Sequence, residues 1–249
     1  LHSHIGSQIF EAEGFIEAAK RLLAIQAELL KFGEVPELNL GGGFGINYTT
    51  ADEAPAIESI AQKIADGVAA ECAALGIDVP VLAFEPGRII VGPTGVTLYT
   101  VGTIKDVALS EEGEGAVRKY VSIDGGMSDN ARPSLYDAAY TVRLASRSSS
   151  AHPSLVRVVG KHCESGDIVV RDDYLPSDIA NNDIVAVAAT GAYCASLSSN
   201  YNMLTRPPVV AISQGQARLI VRGETEADLF ARDLRYQELL NSLSLNGKD

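Results

Sequence analysis

Within the first 90 residues, two long apolar stripes of helical period alternate with three short apolar runs of strand length, and that alternation leaves few folds open. Phe15, Ala18, Ala19, Leu22, Leu23, Leu29 and Leu30 fall on one face of a helix predicted over Gly14–Phe32, which Gly33 would stop. Ile57, Ile60, Ala61, Ile64, Ala65, Val68, Cys72 and Leu75 do the same over Pro55–Leu75, with Gly76 as the stop. Leu1–Ile5, Val35–Leu40 and Val79–Phe84 read as the intervening strands. Strands joined through helices by short links pair in parallel with right-handed crossovers. Each polar or glycine-rich stretch follows a strand: His4–Ser7, Gly41–Gly45 and Glu85–Arg88. Barrels and doubly wound sheets keep their active sites at that end. Three strands do not close a barrel; they form part of one.

Beyond Gly92-Pro93 the period changes. Val96–Asp106, Lys119–Ile123, Tyr140–Leu144, Leu155–Gly160, Ile184–Ala189, Val209–Ser213 and Ala217–Arg222 read as strands, and Glu224–Tyr236 as the next long helix. The expected architecture is α/β plus β: residues 1–93 as the C-terminal portion of a β/α barrel, and residues 94–249 as a β-rich domain. A hydrophobic content of 46% supports a sizeable core, and a net charge of -12 disfavours a general nucleic-acid surface. Three cysteines, Cys72, Cys163 and Cys194, make no disulfide framework, which points to a cytoplasmic protein. No apolar run is long enough to span a bilayer, so no membrane partner is expected. The opening Leu1-His2-Ser3-His4 reads as a strand already under way, the mark of a fragment or processed chain.

Taken singly, the motifs are ambiguous. Gly41-Gly42-Gly43-Phe44-Gly45 fits an anion-binding turn or merely a tight strand-to-helix turn. Glu85 leaves an apolar strand and needs a cationic partner, which Arg88 would supply in a structural ion pair. His4 and Ser7 suit a phosphate site or a capped turn. His162 beside Cys163 suggests a Cys–His nucleophile, but neighbours on a strand point to opposite faces. His2 and His152 read as surface or loop residues, and Cys72 and Cys194 as small buried hydrophobes.

Jointly they are specific. His-Ile-Gly-Ser, Gly-Gly-Gly-Phe-Gly and Glu-Pro-Gly-Arg are followed by Ser128–Pro133 with Tyr136, then Cys163-Glu164-Ser165-Gly166-Asp167, then Gly191-Ala192-Tyr193. In this order they resemble the alanine-racemase-like, fold-type III pyridoxal-phosphate (PLP) decarboxylases, and among them the diaminopimelate decarboxylases, over essentially the whole chain. The resemblance implies PLP as cofactor and no metal. It implies that His4 stacks on the PLP ring, that Ser7, Gly42, Gly43 and Tyr193 hold its phosphate, and that Glu85 keeps the ring nitrogen protonated. A protonated ring is the better electron sink. Arg88, Arg132 and Tyr136 would bind substrate, Glu164 its distal ammonium, and Cys163 would act as general acid. Cys163 and Glu164 would serve the partner subunit's site in a homodimer.

The resemblance further implies an activity, decarboxylation of meso-2,6-diaminopimelate to L-lysine and CO₂. The alternatives are an ornithine or arginine decarboxylase of the same fold, or a non-catalytic homologue or fragment. The family's cofactor lysine lies in a Tyr-Ala-x-Lys-Ala-like segment absent from this sequence. Lys20, Lys31, Lys63, Lys105, Lys119, Lys161 and Lys248 do not fit its place. By itself, then, the chain is expected to be inactive.

Overall fold

A computed structural model describes residues 1–109 and 117–239. The two apolar stripes form its two long helices. Helix α1, Glu13–Leu29, buries Phe15, Ala19, Leu23 and Gln26; helix α2, Ile57–Leu75, buries Ile60, Ile64, Val68 and Cys72. Recurrence every three or four residues gives each helix one apolar face. Gly76 closes α2 in the left-handed conformation (φ 67°) that glycine adopts without a Cβ penalty. Helix α1 stops before the predicted Phe32, which is 89% exposed.

Strands β1, Glu37–Asn39, and β2, Val81–Ala83, pair in parallel with Leu38 opposite Leu82. The expected strand at Leu1–Ile5 is only an isolated parallel bridge from His2 to Asn39. Two backbone bonds form there, Ser3 N–H to Asn39 O and Asn39 N–H to Leu1 O, before the chain turns away at Gly6 (φ 142°). The helices cover this small parallel unit, and Phe15 stacks on Phe44 with centroids 4.8 Å apart inside its core.

The short helix α3, Arg88–Val91, and a 3-10 turn at Gly92–Thr94 lead into the β-rich part. Its strands are β3 (Val96–Ala108), β4 (Val117–Ile123), β5 (Val142–Leu144), β6 (Pro153–Val159), β7 (Ile168–Pro176) and β8 (Ile184–Ala188). They form one sheet in the order β5-β8-β3-β4-β6-β7, in which β4 and β6 pair in parallel and the other neighbours are antiparallel. Strand β7 had no clear sequence signal, because Arg171-Asp172-Asp173 interrupts its apolar run. The sheet accommodates it by burying Val169, Val170 and Leu175 while Asp172 takes Arg118 at 2.8 Å. Two further short helices, α4 (Arg132–Tyr136) and α5 (Cys194–Leu197), sit in its loops.

Strands β9, Val209–Ser213, and β10, Gln216–Val221, form a separate antiparallel hairpin. The long helix expected at Glu224–Tyr236 is broken. Helix α6 covers Glu226–Leu229, and helical structure resumes at residues 234–239. Asp233 causes the restart: its carboxylate accepts the backbone N–H groups of Arg235 and Tyr236, as a new N-cap does. Among the described residues no helix is long and apolar enough to cross a membrane.

Candidate active site

A cleft of about 690 Å³ opens between the loops that follow the parallel strands and the loops of the six-stranded sheet. From the first side come His4, Ser7, Gly42, Gly43, Glu85 and Arg88; from the second come Arg132, Tyr136 and Tyr193. Nine residues singled out from sequence thus line one cavity.

The glycines are needed because three backbones meet. A Cβ on Gly43 (φ 105°) would lie 2.2 Å from the Gly6 carbonyl oxygen, and one on Gly42 the same distance from that of Glu85. Gly42 N–H is spent on His4 Nδ1 at 3.3 Å, whereas Gly43 N–H has no partner among the described residues and is free for an anion. The turn is therefore both a close-packing device and a partial anion cradle.

Glu85 is more exposed than its apolar strand suggested, with 53% of its side chain accessible. It does not pair with Arg88. Its Oε1 accepts from Asn39 Nδ2 at 3.0 Å and lies 3.2 Å from His2 Nε2. Arg88, at the start of α3, turns away to donate to the Tyr48 phenol and, at 2.5 Å, to Ser7 Oγ.

Arg88 and Arg132 are the most telling residues of the site. Each is only 7% exposed, and among the described residues neither has an ion-pair partner. Aromatic groups hold them instead. The Arg132 guanidinium lies 4.5 Å from the Tyr48 ring centre, and that of Arg88 lies 5.5 Å from Tyr48 and 4.7 Å from Tyr193. Arg132 also donates to Tyr140 Oη at 2.5 Å. Burial pushes the Tyr140 phenol well above its usual range, so it stays neutral beside this charge. Arg88 Nε is buried with no partner among the described residues. Two desolvated cations held by neutral groups are costly until an anion joins them.

Tyr193 reaches the cleft from a left-handed backbone conformation (φ 69°) at the start of α5, an uncommon one for a bulky residue. Asp129 supports the turn before Arg132, taking the Tyr99 hydroxyl at 2.7 Å and the Gly126 N–H at 3.1 Å.

Cys163 and Glu164 lie outside the cleft, exposed in a bend between β6 and β7. His162 lies in that bend rather than on a strand, yet the two side chains still separate: the His162 ring is fully buried and Cys163 faces outward. Cys72 and Cys194 are buried, and burial raises both thiols above the ordinary value. Of the seven lysines Lys248 falls outside the described residues, and none of the other six lines the cleft.

The residues that sequence reasoning missed are aromatic or amide supports: Tyr48, Tyr140, His2 and Asn39. Tyr48 follows the glycine run by three positions, but nothing local marks a tyrosine whose partners are 40 and 84 residues away.

Known proteins resemble this chain over most of its length. Residues 1–92 match the family described as pyridoxal-dependent decarboxylase, pyridoxal binding domain, and residues 48–191 match pyridoxal-dependent decarboxylase, C-terminal sheet domain. Diaminopimelate decarboxylase of Mycobacterium leprae is 54% identical over 241 residues, covering 94% of this chain and 50% of that protein. The crystal structure of diaminopimelate decarboxylase from M. jannaschii in co-complex with L-lysine superimposes with TM-score 0.83 at 33% identity, covering 94% of this chain and 51% of that one. A lysine/ornithine decarboxylase from Vibrio vulnificus complexed with cadaverine shares the fold, with TM-score 0.68, 23% identity, and 83% and 52% of the two chains covered. The chain spans about half the length of the relatives it matches.

Proposed function

The chain belongs to the pyridoxal-dependent decarboxylases, and on that premise we propose that its protein converts meso-2,6-diaminopimelate to L-lysine and CO₂, the last step of lysine biosynthesis. One observation carries the reading: two buried guanidiniums, without carboxylate partners among the described residues, face a single cleft. The substrate brings two carboxylates and the cofactor a phosphate, so the ligands supply the anions that these two guanidiniums lack.

The residues suit PLP. The free Gly43 N–H, the Ser7 hydroxyl and the Tyr193 phenol are neutral donors for a phosphate, and the His4 ring offers a flat face beside them. When bound, PLP supplies an electron sink for the pair left behind as CO₂ departs. Glu85 keeps a cationic ring nitrogen charged, and Asn39 and His2 hold its carboxylate in place. Arg88, Arg132 and Tyr136 bind and orient the substrate, Arg being suited to paired N–H···O bonds with carboxylate. Cys163 returns a proton to the carbon that lost CO₂, and Glu164 takes the distal ammonium. Both lie outside this cleft and are exposed, which supports a homodimer whose subunits exchange them, and the few free cysteines suit a cytoplasmic protein. The boundary between the barrel portion and the β-rich domain falls at residue 93 in this reading, and Tyr136 and Arg132 belong to the second.

Substrate competition tests the proposal. Ornithine, arginine and lysine lack the distal carboxylate, so each leaves the buried guanidinium meant for it unpaired, which gives roughly 10⁴–10⁵-fold discrimination. The full-length enzyme should therefore prefer diaminopimelate by that order in kcat/KM. Comparable kcat/KM for ornithine would reassign it to the ornithine or arginine decarboxylases.

A further inference from the structure

Outside the cleft, the bend that carries Cys163 and Glu164 is tied to a second segment by a chain of contacts. Asp167 anchors it. One of its oxygens accepts the Met127 N–H at 2.7 Å, and the other takes the His162 N–H at 2.8 Å and His162 Nδ1 at 2.7 Å. The carboxylate fits so tightly that a Cβ on Gly160 would lie 2.1 Å from it and one on Gly126 2.6 Å. The His162 ring, fixed in this way, stacks on Tyr201 with centroids 5.7 Å apart and planes 14° from parallel. The Tyr201 hydroxyl donates to Glu164 Oε1 at 2.6 Å, and the next side chain, Asn202, places Nδ2 3.7 Å from Cys163 Sγ. Asn202 and Met203 both have positive φ (54° and 59°), so the turn is held in a sparsely populated conformation with these two contacts in place.

We infer that Tyr201, backed by the His162–Asp167 pair, is a positioning residue that orients the Glu164 carboxylate, occupying Oε1 and leaving Oε2 for a substrate ammonium. The inference rests on the reading that Glu164 binds that ammonium. A phenol held against a ring that is itself pinned by a buried carboxylate loses little further freedom on binding, so its hydrogen bond selects one carboxylate rotamer. The same bond raises the Tyr201 phenol above its usual range, because losing the proton would set two anions side by side.

A double-mutant cycle in the full-length enzyme tests this. Tyr201→Phe keeps the stack on His162 and removes only the hydroxyl. We expect KM for diaminopimelate to rise about 3- to 10-fold, the loss of one charge-assisted hydrogen bond near solvent, with kcat within about 2-fold. If Tyr201 acts through Glu164, Tyr201→Phe adds nothing further in a Glu164→Gln background. Peptide-mapped alkylation of Cys163 gives a readout independent of turnover: Tyr201→Phe should leave its rate unchanged, whereas Tyr201→Ala, which frees the bend, should raise it. If Glu164→Gln raises KM and Tyr201→Phe does not, the positioning role is wrong and the function stands. If Glu164→Gln leaves KM unchanged, the ammonium reading itself fails. Equal Cys163 alkylation in Tyr201→Ala and wild type would show that the stack does not hold the bend.

Discussion

Tyr48 is the residue whose removal most sharply tests how the cleft holds two positive charges. Its ring touches both guanidiniums and meets Tyr140 edge-on at 5.2 Å, and its hydroxyl accepts from Arg88. Tyr48→Phe keeps both cation–π contacts and removes one hydrogen bond to a charged group. Such a bond contributes about 1.5–3 kcal/mol, which is roughly 10- to 150-fold in an equilibrium constant. The upper part of that range applies here, because Arg88 Nε already lacks a partner and the variant would leave Nη1 without its phenol as well. Tyr48→Leu removes more: each cation–π contact adds about 0.5–2 kcal/mol and the aromatic pair about 0.5–1.5. The assay is ligand affinity in the full-length enzyme, measured as KM for diaminopimelate and as Kd for PLP by equilibrium dialysis. Phe should weaken at least one about 100-fold, the one that Arg88 serves. Leu should weaken both, because Arg132 loses its closest ring. If Phe matched wild type in both constants, the tyrosine would be mere packing and the account of the arginines would be wrong.

Two further outcomes follow from single carboxylates. Glu85→Gln in the full-length enzyme should keep PLP bound, judged by its absorbance, yet lower kcat by about 10²–10³, by analogy with removal of one preorganised charge-stabilising group; unchanged turnover would take Glu85 out of its role. Asp183 accepts from Arg147, Ser146 and the Ala180 N–H, and chiefly the Arg147 bond lowers its pKa from 3.8 to about 2. A carboxyl depressed on folding stabilises above its unfolded value and loses that contribution as pH falls through the folded one. Unfolding followed between pH 4 and 2 should therefore show a component of acid sensitivity that disappears in Asp183→Asn; an identical pH slope in the variant would refute the linkage.

The sequence by itself marked most of the local elements and the residues that line the cleft. Helical period fixed α1 and α2, because apolar residues three and four apart can share a buried face only in a helix. Glycine placement marked the turn where three backbones crowd together, and motif order identified nine residues that meet in one cavity. What failed to show were features whose cause lies far along the chain. Strand β7 carries two adjacent aspartates, which Arg118 of β4, Arg157 of β6 and Arg143 of β5 make acceptable. The helix after Glu224 ends at Leu229 and restarts only at Asp233, whose carboxylate caps the new turn. Only the tertiary structure decided that Arg88 turns from Glu85 to Tyr48, that His2 reaches Glu85, and that Cys163 and Glu164 face away from the cleft. Periodicity reports which face of an element avoids water, a local property. Which cation meets which ring or carboxylate depends on loops brought together from positions dozens of residues apart, and that pairing exists only once both cores have formed.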